Sequence, residues 1–384
     1  MKIFHLYSDW KWTGPAEPAI QMCQALEAQG HDVTFACRAT PPEHADADES
    51  VEMKAAEAGI NFTTQFGLNR YFGIKDTVHD LHALPRYLSS AGVDVLHTHL
   101  SHDHGVGLYA AGIASGRRAV AHSMHRRKVL PDKFWNRRLL SKPGPNRGLC
   151  VFTQGFKDAY AERFGIPDNQ IAVCPMPLEL PKFTPDRPFT NQREKYGIPD
   201  DCVVIGIVAR FQKYRRMDVF MEAAAMVLKE EPNVRFVAIG RSSQIDDTVI
   251  KPMKDLGIED KVVLPGYLID DYIDMMQTLD VFTLMIPGFD GTARALREAM
   301  ALGKPCVVSD VGMLPDIVQH DEAGFVCEFA KAEALAEAWL KLIRDDAMRK
   351  RMGAFATTYA HKTFRIDMVG PTLEAFYRQL LENS

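Results

Sequence analysis

Residues 280–310 read DVFTLMIPGFDGTARALREAMALGKPCVVSD. The apolar run DVFTLMI breaks at the Pro287-Gly288 turn. A stretch of good helix formers, ARALREAMAL, follows and is closed by Gly303 and Pro305, and a second apolar run, PCVVSD, begins. Strand, helix and strand in this order form a βαβ unit, whose two strands must lie parallel. Thr292 reads as the helix N-cap beside a bare Gly291, so the free N–H groups of the first turn make a ready anion site. Glu298, eight residues after Asp290, shares a helix face with Arg294, while Leu296, Ala299 and Met300 point to the core. An ordinary i,i+4 ion pair preceded by an acidic turn explains Arg294, Glu298 and Asp290 equally well at this stage.

The same rhythm fills the chain in both directions. Towards the N-terminus, KIFHLYS, HDVTFAC, INFTTQF, VDVLHTH, RRAVAHS, LCVFT and IAVCP read as strands with helices between them. CVVIGIVAR, VRFVAIG, KVVLPG, DVFTLMI, PCVVSD and GFVCEF form a second series, and only helical patterns follow Lys331. Regular alternation predicts an α/β class with two doubly wound parallel sheets, each covered on both faces. Between the series, the stretch from Pro175 to Asn191 holds five prolines and reads as a hinge. The expected organisation is therefore a first Rossmann-like domain over 1–175 and a linker over 176–192. A second such domain follows over 193–362, and a C-terminal helix over 363–384 returns to the first. Function is expected in loops at the C-terminal strand ends and in a cleft between the domains.

A chain of 384 residues with 46% apolar and 25% charged residues fits two globular domains. No apolar run is long enough to span a bilayer, and polar residues follow the first strand at once, so neither a membrane helix nor a signal peptide is expected. Seven scattered cysteines without a CxxC pair fit a reducing cytoplasm. A net charge of −5 argues against nucleic acid as the main partner.

Four groups of residues carry candidate chemistry. Arg210 and Arg216 flank a basic loop after the strand GIVAR, suited to a diphosphate that guanidinium groups clamp. Gly240 and Gly266 end the next two strands and permit close backbone approach. His97, His99, His102 and His104, with Asp103 among them, form the run HTHLSHDH. Its H-x-H-x-x-H-D-H spacing departs from the H-x-H-x-D-H pattern of metal-dependent hydrolases, so histidines at a strand end and a helix start are expected here, and no metal. His97 and His99 are expected on one strand face. Residues 123–147 hold eight Lys/Arg against one acid, interleaved with Phe134, Trp135, Leu139 and Leu140. Arg126, Arg127, Lys128 and Trp135 there suit a phosphorylated acceptor or an anionic membrane surface, and a solvated helix explains them equally.

At this point the chain resembles, nearly end to end, the retaining GT-B glycosyltransferases of family 4 (glycosyl transferases group 1). The resemblance rests on DGTARALREAMALGKPCVVSDVGMLPDIV at 290–318, where Asp290-x7-Glu298 is similar to the family's E-x7-E motif with aspartate in first place. It rests also on VARF and RRM within 208–217, LGIEDKVVLPGY at 256–267, AGF at 323–325, TGPAE at 13–17 and CPMPLELPKFTP at 174–185.

The resemblance implies roles residue by residue. Arg210 and Arg216 would hold the donor diphosphate, with Arg216 standing where the family commonly has lysine. Gly240, Gly266 and Tyr267 would line the donor site, and Glu298 would accept hydrogen bonds from the ribose hydroxyls. Asp290 would face the sugar hydroxyls, and Gly291 with Thr292 would give N–H groups to the phosphate. Gly14 would let the first loop pass close to the donor or the acceptor, although a single glycine followed by Pro15 predicts a stiffer loop. A donor-contacting histidine is implied after RRAVAHSM: His125, with His122 as the alternative in register, its pKa raised by nearby phosphate. No cofactor and no metal are implied beyond the donor itself, a UDP- or GDP-sugar. The acceptor would be lipid-linked or a saccharide, handled in the cytoplasm or on the inner membrane surface during glycolipid, lipopolysaccharide or polysaccharide synthesis. An epimerase or phosphorylase of the same fold is the alternative, and a metal-dependent hydrolase built on His97–His104 a more distant one.

Overall fold

The computed structural model describes residues 1–45, 49–140, 144–288 and 293–383. The chain forms two compact units, Met1–Pro177 with Arg365–Ser384, and Leu178–Phe364.

The first unit runs β1 (Lys2–Tyr7), α1 (Ala16–Glu27), β2 (Asp32–Cys37), α2 (Val51–Glu57), β3 (Phe62–Thr63), α3 (Ile74–Ser90), β4 (Val95–Thr98) and α4 (Ser101–Ile113). It continues through β5 (Ala119–Ser123), α5 (Phe134–Leu140), β6 (Arg147–Val151), α6 (Gln154–Phe164) and β7 (Ile171–Val173). Its seven-stranded sheet has the order β3-β2-β1-β4-β5-β6-β7, and every pairing is parallel. Helices on both faces keep water from the strands, which is why β4 and β5 are buried throughout.

The second unit runs β8 (Val203–Val208), α7 (Met217–Glu230), β9 (Val234–Ile239), α8 (Lys251–Leu256), β10 (Val262–Gly266), α9 (Tyr272–Thr278) and β11 (Val281–Leu284). It continues through α10 (Arg294–Ala301), β12 (Cys306–Ser309), α11 (Leu314–Ile317), β13 (Gly324–Cys327), α12 (Ala332–Arg344) and α13 (Asp346–Thr363). Six parallel strands lie in the order β10-β9-β8-β11-β12-β13. Trp339 of α12 fills the core against Phe220 and Phe236, with ring centroids 5.0 and 5.4 Å away. Its indole N–H donates to Thr283 Oγ1 of β11 at 3.0 Å, so the largest buried side chain leaves no polar atom stranded.

In both sheets the order in which strands are added reverses at one place, between β1 and β4 and between β8 and β11. The loops leaving those strands are where such sheets bind ligands.

The last helix, α14 (Val369–Glu382), belongs to the first unit. Val369, Leu373, Phe376, Tyr377 and Leu380 recur at helical spacing and are buried, as an amphipathic face requires. The helix packs on α1 and on β5 and β7. A Cβ at Gly148 of β6 would meet the Phe376 ring at 2.6 Å, so glycine there is what lets α14 lie close.

The proline-rich stretch is held chain from Leu178 onward. Leu178 and Phe183 are buried, and the Leu178 N–H donates to Phe364 O at 2.9 Å. All seven cysteines are free thiols. Among the described residues no helix is long and apolar enough to cross a membrane.

Candidate active site

In the second unit, the loop after β8 begins with Arg210, which is exposed and has no ion-pair partner among the described residues. The loop closes on Arg216, whose left-handed backbone (φ 55°, ψ 47°) occupies the N-cap of α7. A side-chain-bearing residue there is strained, by roughly 1–2 kcal/mol. The Arg216 guanidinium lies on Asp218, with Nε 3.0 Å from each carboxylate oxygen and Nη2 at 2.9 Å. Between them, Arg215 donates to the Ile286 carbonyl and ties this loop to the segment after β11. Gly240 ends β9 with φ 152°, and a Cβ would fall 1.9 Å from Ala209 O. The close approach that demands glycine is therefore made by the protein's own backbone. Gly266 has φ 81° and open space where a Cβ would be, and Tyr267 beside it is exposed under the Arg241 guanidinium, 4.3 Å from the ring centroid.

Asp290, Gly291 and Thr292 lie outside the described residues. The N-cap of α10 is Ala293, not Thr292 as expected: it sits in the left-handed region (φ 45°), makes no side-chain cap, and accepts the Leu296 and Arg297 N–H groups at 3.1 and 3.2 Å. One turn on, Glu298 is 2% exposed. Its Oε1 accepts from Arg294 Nε at 2.7 Å and its Oε2 from the Tyr272 hydroxyl at 2.6 Å. Burial, and then the Glu298 charge, hold the Tyr272 phenol well above its ordinary pKa, so it stays a proton donor. A surface i,i+4 pair would leave the carboxylate in water; here it is inside the protein with a second donor. Leu296, Ala299 and Met300 are fully buried, as their spacing requires.

In the first unit, Gly14 is exposed in a turn closed by the Ala16 N–H on Thr13 O at 2.9 Å. The Tyr7 hydroxyl, 2.8 Å from Thr13 Oγ1, anchors that turn. His97 and His99 do share a face, their rings stacked 4.7 Å apart and 7° from parallel. Both His97 nitrogens are occupied, by the Tyr377 hydroxyl of α14 at 2.5 Å and Ser123 Oγ at 2.8 Å. His104 and His122 stack with centroids 4.0 Å apart, and each turns Nδ1 to Thr98 Oγ1, at 3.0 and 2.9 Å. His102 is half-buried, edge-on to Phe72. Asp103 points its carboxylate at the N–H groups of Ser8, His99 and Leu100. Among the described residues no three His, Cys, Asp or Glu side chains are placed to hold a metal ion. His125, two residues beyond β5, is buried against Phe152 and keeps Nδ1 without a partner. Burial pushes its pKa down to about 3, opposite to the rise expected from a neighbouring phosphate.

Comparison with known sequences decides what these strand ends belong to. The family pattern described as Glycosyl transferases group 1 matches residues 188–359, and that described as Glycosyltransferase Family 4 matches residues 14–180. The chain belongs to glycosyltransferase family 4. Among curated relatives, the N-acetyl-alpha-D-glucosaminyl L-malate synthase of Bacillus anthracis is 25% identical over 197 residues, covering 51% of each chain. The UDP-Gal:alpha-D-GlcNAc-diphosphoundecaprenol alpha-1,3-galactosyltransferase of Escherichia coli is 23% identical over 359 residues, 91% of this chain and 89% of that one. The chain thus aligns with about half the length of the first relative and most of the second. HepE of Anabaena, solved in complex with UDP, superposes with a TM-score of 0.79 at 18% identity, over 98% of this chain and 99% of that one. That likeness is one of fold, and the fold is GT-B.

In this glycosyltransferase, the second unit brings Arg216, by way of Arg215 and Ile286, to the same sheet end as α10 with Glu298. In the first unit both histidine alternatives are buried: His122 turns Nδ1 to Thr98 Oγ1 at 2.9 Å, and His125 Nε2 lies 3.3 Å from His99 Nδ1. In the basic segment, Arg126 donates to Ser101 Oγ at 2.5 Å and Arg137 pairs with Asp132, the segment's single acid. Lys128 is exposed, Arg127 lies at the surface only in part, and Trp135 and Phe134 are 71% and 69% exposed. Three residues that the sequence reading passes over now matter: Tyr272 on Glu298, Asp218 on Arg216, and His5 beside His99. The Arg216–Asp218 spacing is readable locally, but Tyr272 and His5 reach their partners only through the sheet order.

Proposed function

We propose that this glycosyltransferase moves a sugar from a UDP- or GDP-sugar to a hydroxyl of a lipid-linked or saccharide acceptor, with retention of anomeric configuration. The place would be the cytoplasm or the cytoplasmic membrane face, in cell-envelope glycolipid, lipopolysaccharide or polysaccharide synthesis. The observation that carries this reading is the pair of carboxyl-terminal strand ends at the β8/β11 reversal, one bearing Arg210 and Arg216, the other leading to the buried Glu298. UDP in the HepE complex and the lipid diphosphate in the name of the Escherichia coli relative support the substrate classes.

In the proposed reaction, the bond from the anomeric carbon to the diphosphate oxygen breaks and the diphosphate keeps the electron pair. The acceptor oxygen bonds to the same carbon on the same face, and its proton passes to the departing diphosphate. Arg210 and Arg216 offset the charge that develops on the leaving group, the largest contribution expected of the protein. Glu298, with lone pairs beyond those used by Arg294 and Tyr272, accepts from the ribose hydroxyls. Asp290 faces the sugar, Gly291 and Thr292 give N–H groups to phosphate, and Gly240, Gly266 and Tyr267 line the donor site. Gly14 passes close to the substrates, and His125 hydrogen-bonds a substrate oxygen. No metal or further cofactor takes part.

A panel of UDP-, GDP- and ADP-sugars, scored by thermal shift and by slow donor hydrolysis, tests the reading. Stabilisation and turnover by one nucleotide class are expected, both lost in Arg210→Ala and Glu298→Ala. Unchanged binding and hydrolysis in those two variants sink the proposal.

A further inference from the structure

The loop that carries Arg210 and Arg216 is held from the side by the segment after β9. Phe211, next to Arg210, is 1% exposed, and its ring sits where Gly240 lacks a side chain: a Cβ there would stand 3.3 Å from Phe211 Cζ. The Phe211 carbonyl accepts from Thr248 Oγ1 at 2.9 Å, and among the described residues no other donor reaches it. Two residues on, the Lys213 N–H donates to Gln244 Oε1 at 3.4 Å, a longer and exposed contact.

A local irregularity aims Thr248. Pro252 has no N–H to give the Thr248 carbonyl, and in a regular helix its ring would crowd that carbonyl four residues back. The chain instead makes a π-turn over Asp246–Ile250, where the Lys251 N–H reaches back five residues to Asp246 O. Within that turn Val249 is fully buried in the core, while Thr248 turns its hydroxyl to the Arg210 loop.

The hydroxyl has one proton and two acceptors in reach, Phe211 O and, at 2.8 Å, Gln244 O. Gln244 O already takes the Thr248 N–H at 3.0 Å. Phe211 O would otherwise be a buried carbonyl without a donor, so the proton stabilises more there.

We infer that Thr248 is a positioning residue for donor binding: by holding Phe211 O it fixes the backbone from which Arg210 reaches the diphosphate. Arg210 is exposed and has no ion-pair partner among the described residues, so its guanidinium is placed by the backbone that carries it. A loop already held in its binding geometry loses less freedom when the ligand arrives. The inference rests on the reading of Arg210 as a diphosphate contact. It deepens that reading by adding a residue that sets donor affinity without touching the donor.

The probe is whichever of UDP and GDP stabilises the wild-type protein, set against the matching nucleoside monophosphate, with both affinities measured by calorimetry on the full chain. Thr248→Val keeps the branched shape and removes the donor. It should lower the diphosphate affinity roughly threefold to tenfold, the worth of one hydrogen bond, and the monophosphate affinity by less than about twofold. A merely structural role would lower both alike. Thr248→Ser returns the hydroxyl and should restore the wild-type preference for the diphosphate. Should the valine variant not fold, Thr248→Ala takes its place in the same comparison. A diphosphate preference unchanged without the hydroxyl, or not restored by serine, overturns the inference and leaves the proposed function standing. Binding of neither nucleotide by the wild-type protein overturns the proposed function, and this inference with it.

Discussion

The Tyr272 hydroxyl donates to Glu298 Oε2 at 2.6 Å, joining α9 to the one buried carboxylate of α10. Because Arg294 holds the other oxygen, the carboxylate is fixed in orientation from two sides. A hydrogen bond to a charged group contributes roughly 1.5–3 kcal/mol, and its loss here leaves a buried charge short of a donor. Tyr272→Phe should therefore lower the stability by about that amount in denaturant titrations. It should also weaken nucleotide-sugar binding, although Tyr272 itself need not touch the donor. Binding unchanged in Tyr272→Phe would mean that the orientation of Glu298 is irrelevant to the donor.

Arg216 combines strain with charge, and one substitution separates them. Arg216→Gly places at φ 55° the residue that tolerates it, so thermal stability should hold or rise by up to ~1 kcal/mol. The same change removes a diphosphate-binding guanidinium, and affinity for UDP or GDP should fall roughly tenfold to a hundredfold. Asp218→Asn should alter stability by less than ~1 kcal/mol, since the pair is more than a third exposed on both sides. Equal loss of stability and affinity in Arg216→Gly would assign the residue to the fold alone.

The alternation of apolar runs made every strand legible, because parallel strands buried on both faces repeat the same signal thirteen times over. The shared face of Arg294 and Glu298 was legible for the same reason, as helical spacing depends on nothing distant. The burial of Glu298 was not, since it follows from Tyr272, twenty-six residues away and brought near by the strand order. The cap of α10 misled because Thr292 has the right chemistry, while the chain enters the helix through a left-handed Ala293. Gly240 looked like an opening for a ligand, and its need for glycine lies in Ala209.

Gly240→Ala tests that last point. The added Cβ would stand 1.9 Å from Ala209 O at a φ of 152°, so β8 and β9 must separate at their ends or the chain must find another conformation. A loss of several kcal/mol is expected, on the order of the largest single-residue effects. Chemical denaturation should show it with nucleotide absent, whereas Gly266→Ala meets no atom and should cost only the strain of φ 81°. Equal, small losses at the two positions would contradict the packing described.

The buried histidines predict an acid-sensitive first unit. Burial lowers the pKa of His5, His104 and His125 to about 3, and that of His97, His99 and His122 well below the ordinary value of 6.5. Between these values the unfolded chain binds protons that the folded one refuses, so stability falls as pH drops below 6.5 and is fully present above it. Each such residue contributes a slope of up to about 1.4 kcal/mol per pH unit. Thermal melts between pH 7 and pH 5 should show a steep fall, reduced in His104→Phe, where one of the refused protons is gone. A flat profile across that range would mean that the cluster is hydrated.

The basic segment of the first unit yields a prediction about membranes. Phe134 and Trp135 open α5 with most of their surface in water, and Leu139 is 46% exposed, while Leu140 is buried and anchors the helix. Lys128, Lys133 and Arg138 lie in the same segment, where Asp132 is spoken for by Arg137. Apolar rings beside several cations suit an anionic lipid surface, where each cation near the headgroups contributes about 1 kcal/mol. Sedimentation with vesicles of phosphatidylglycerol and phosphatidylcholine should pull the protein down, and high salt should release it. Phe134→Ala with Trp135→Ala should reduce binding at any salt, because the apolar insertion is lost, whereas Lys133→Gln with Arg138→Gln should remove mainly the salt-sensitive part. Capture by phosphatidylcholine alone, or none by either vesicle, would leave α5 as a solvated helix.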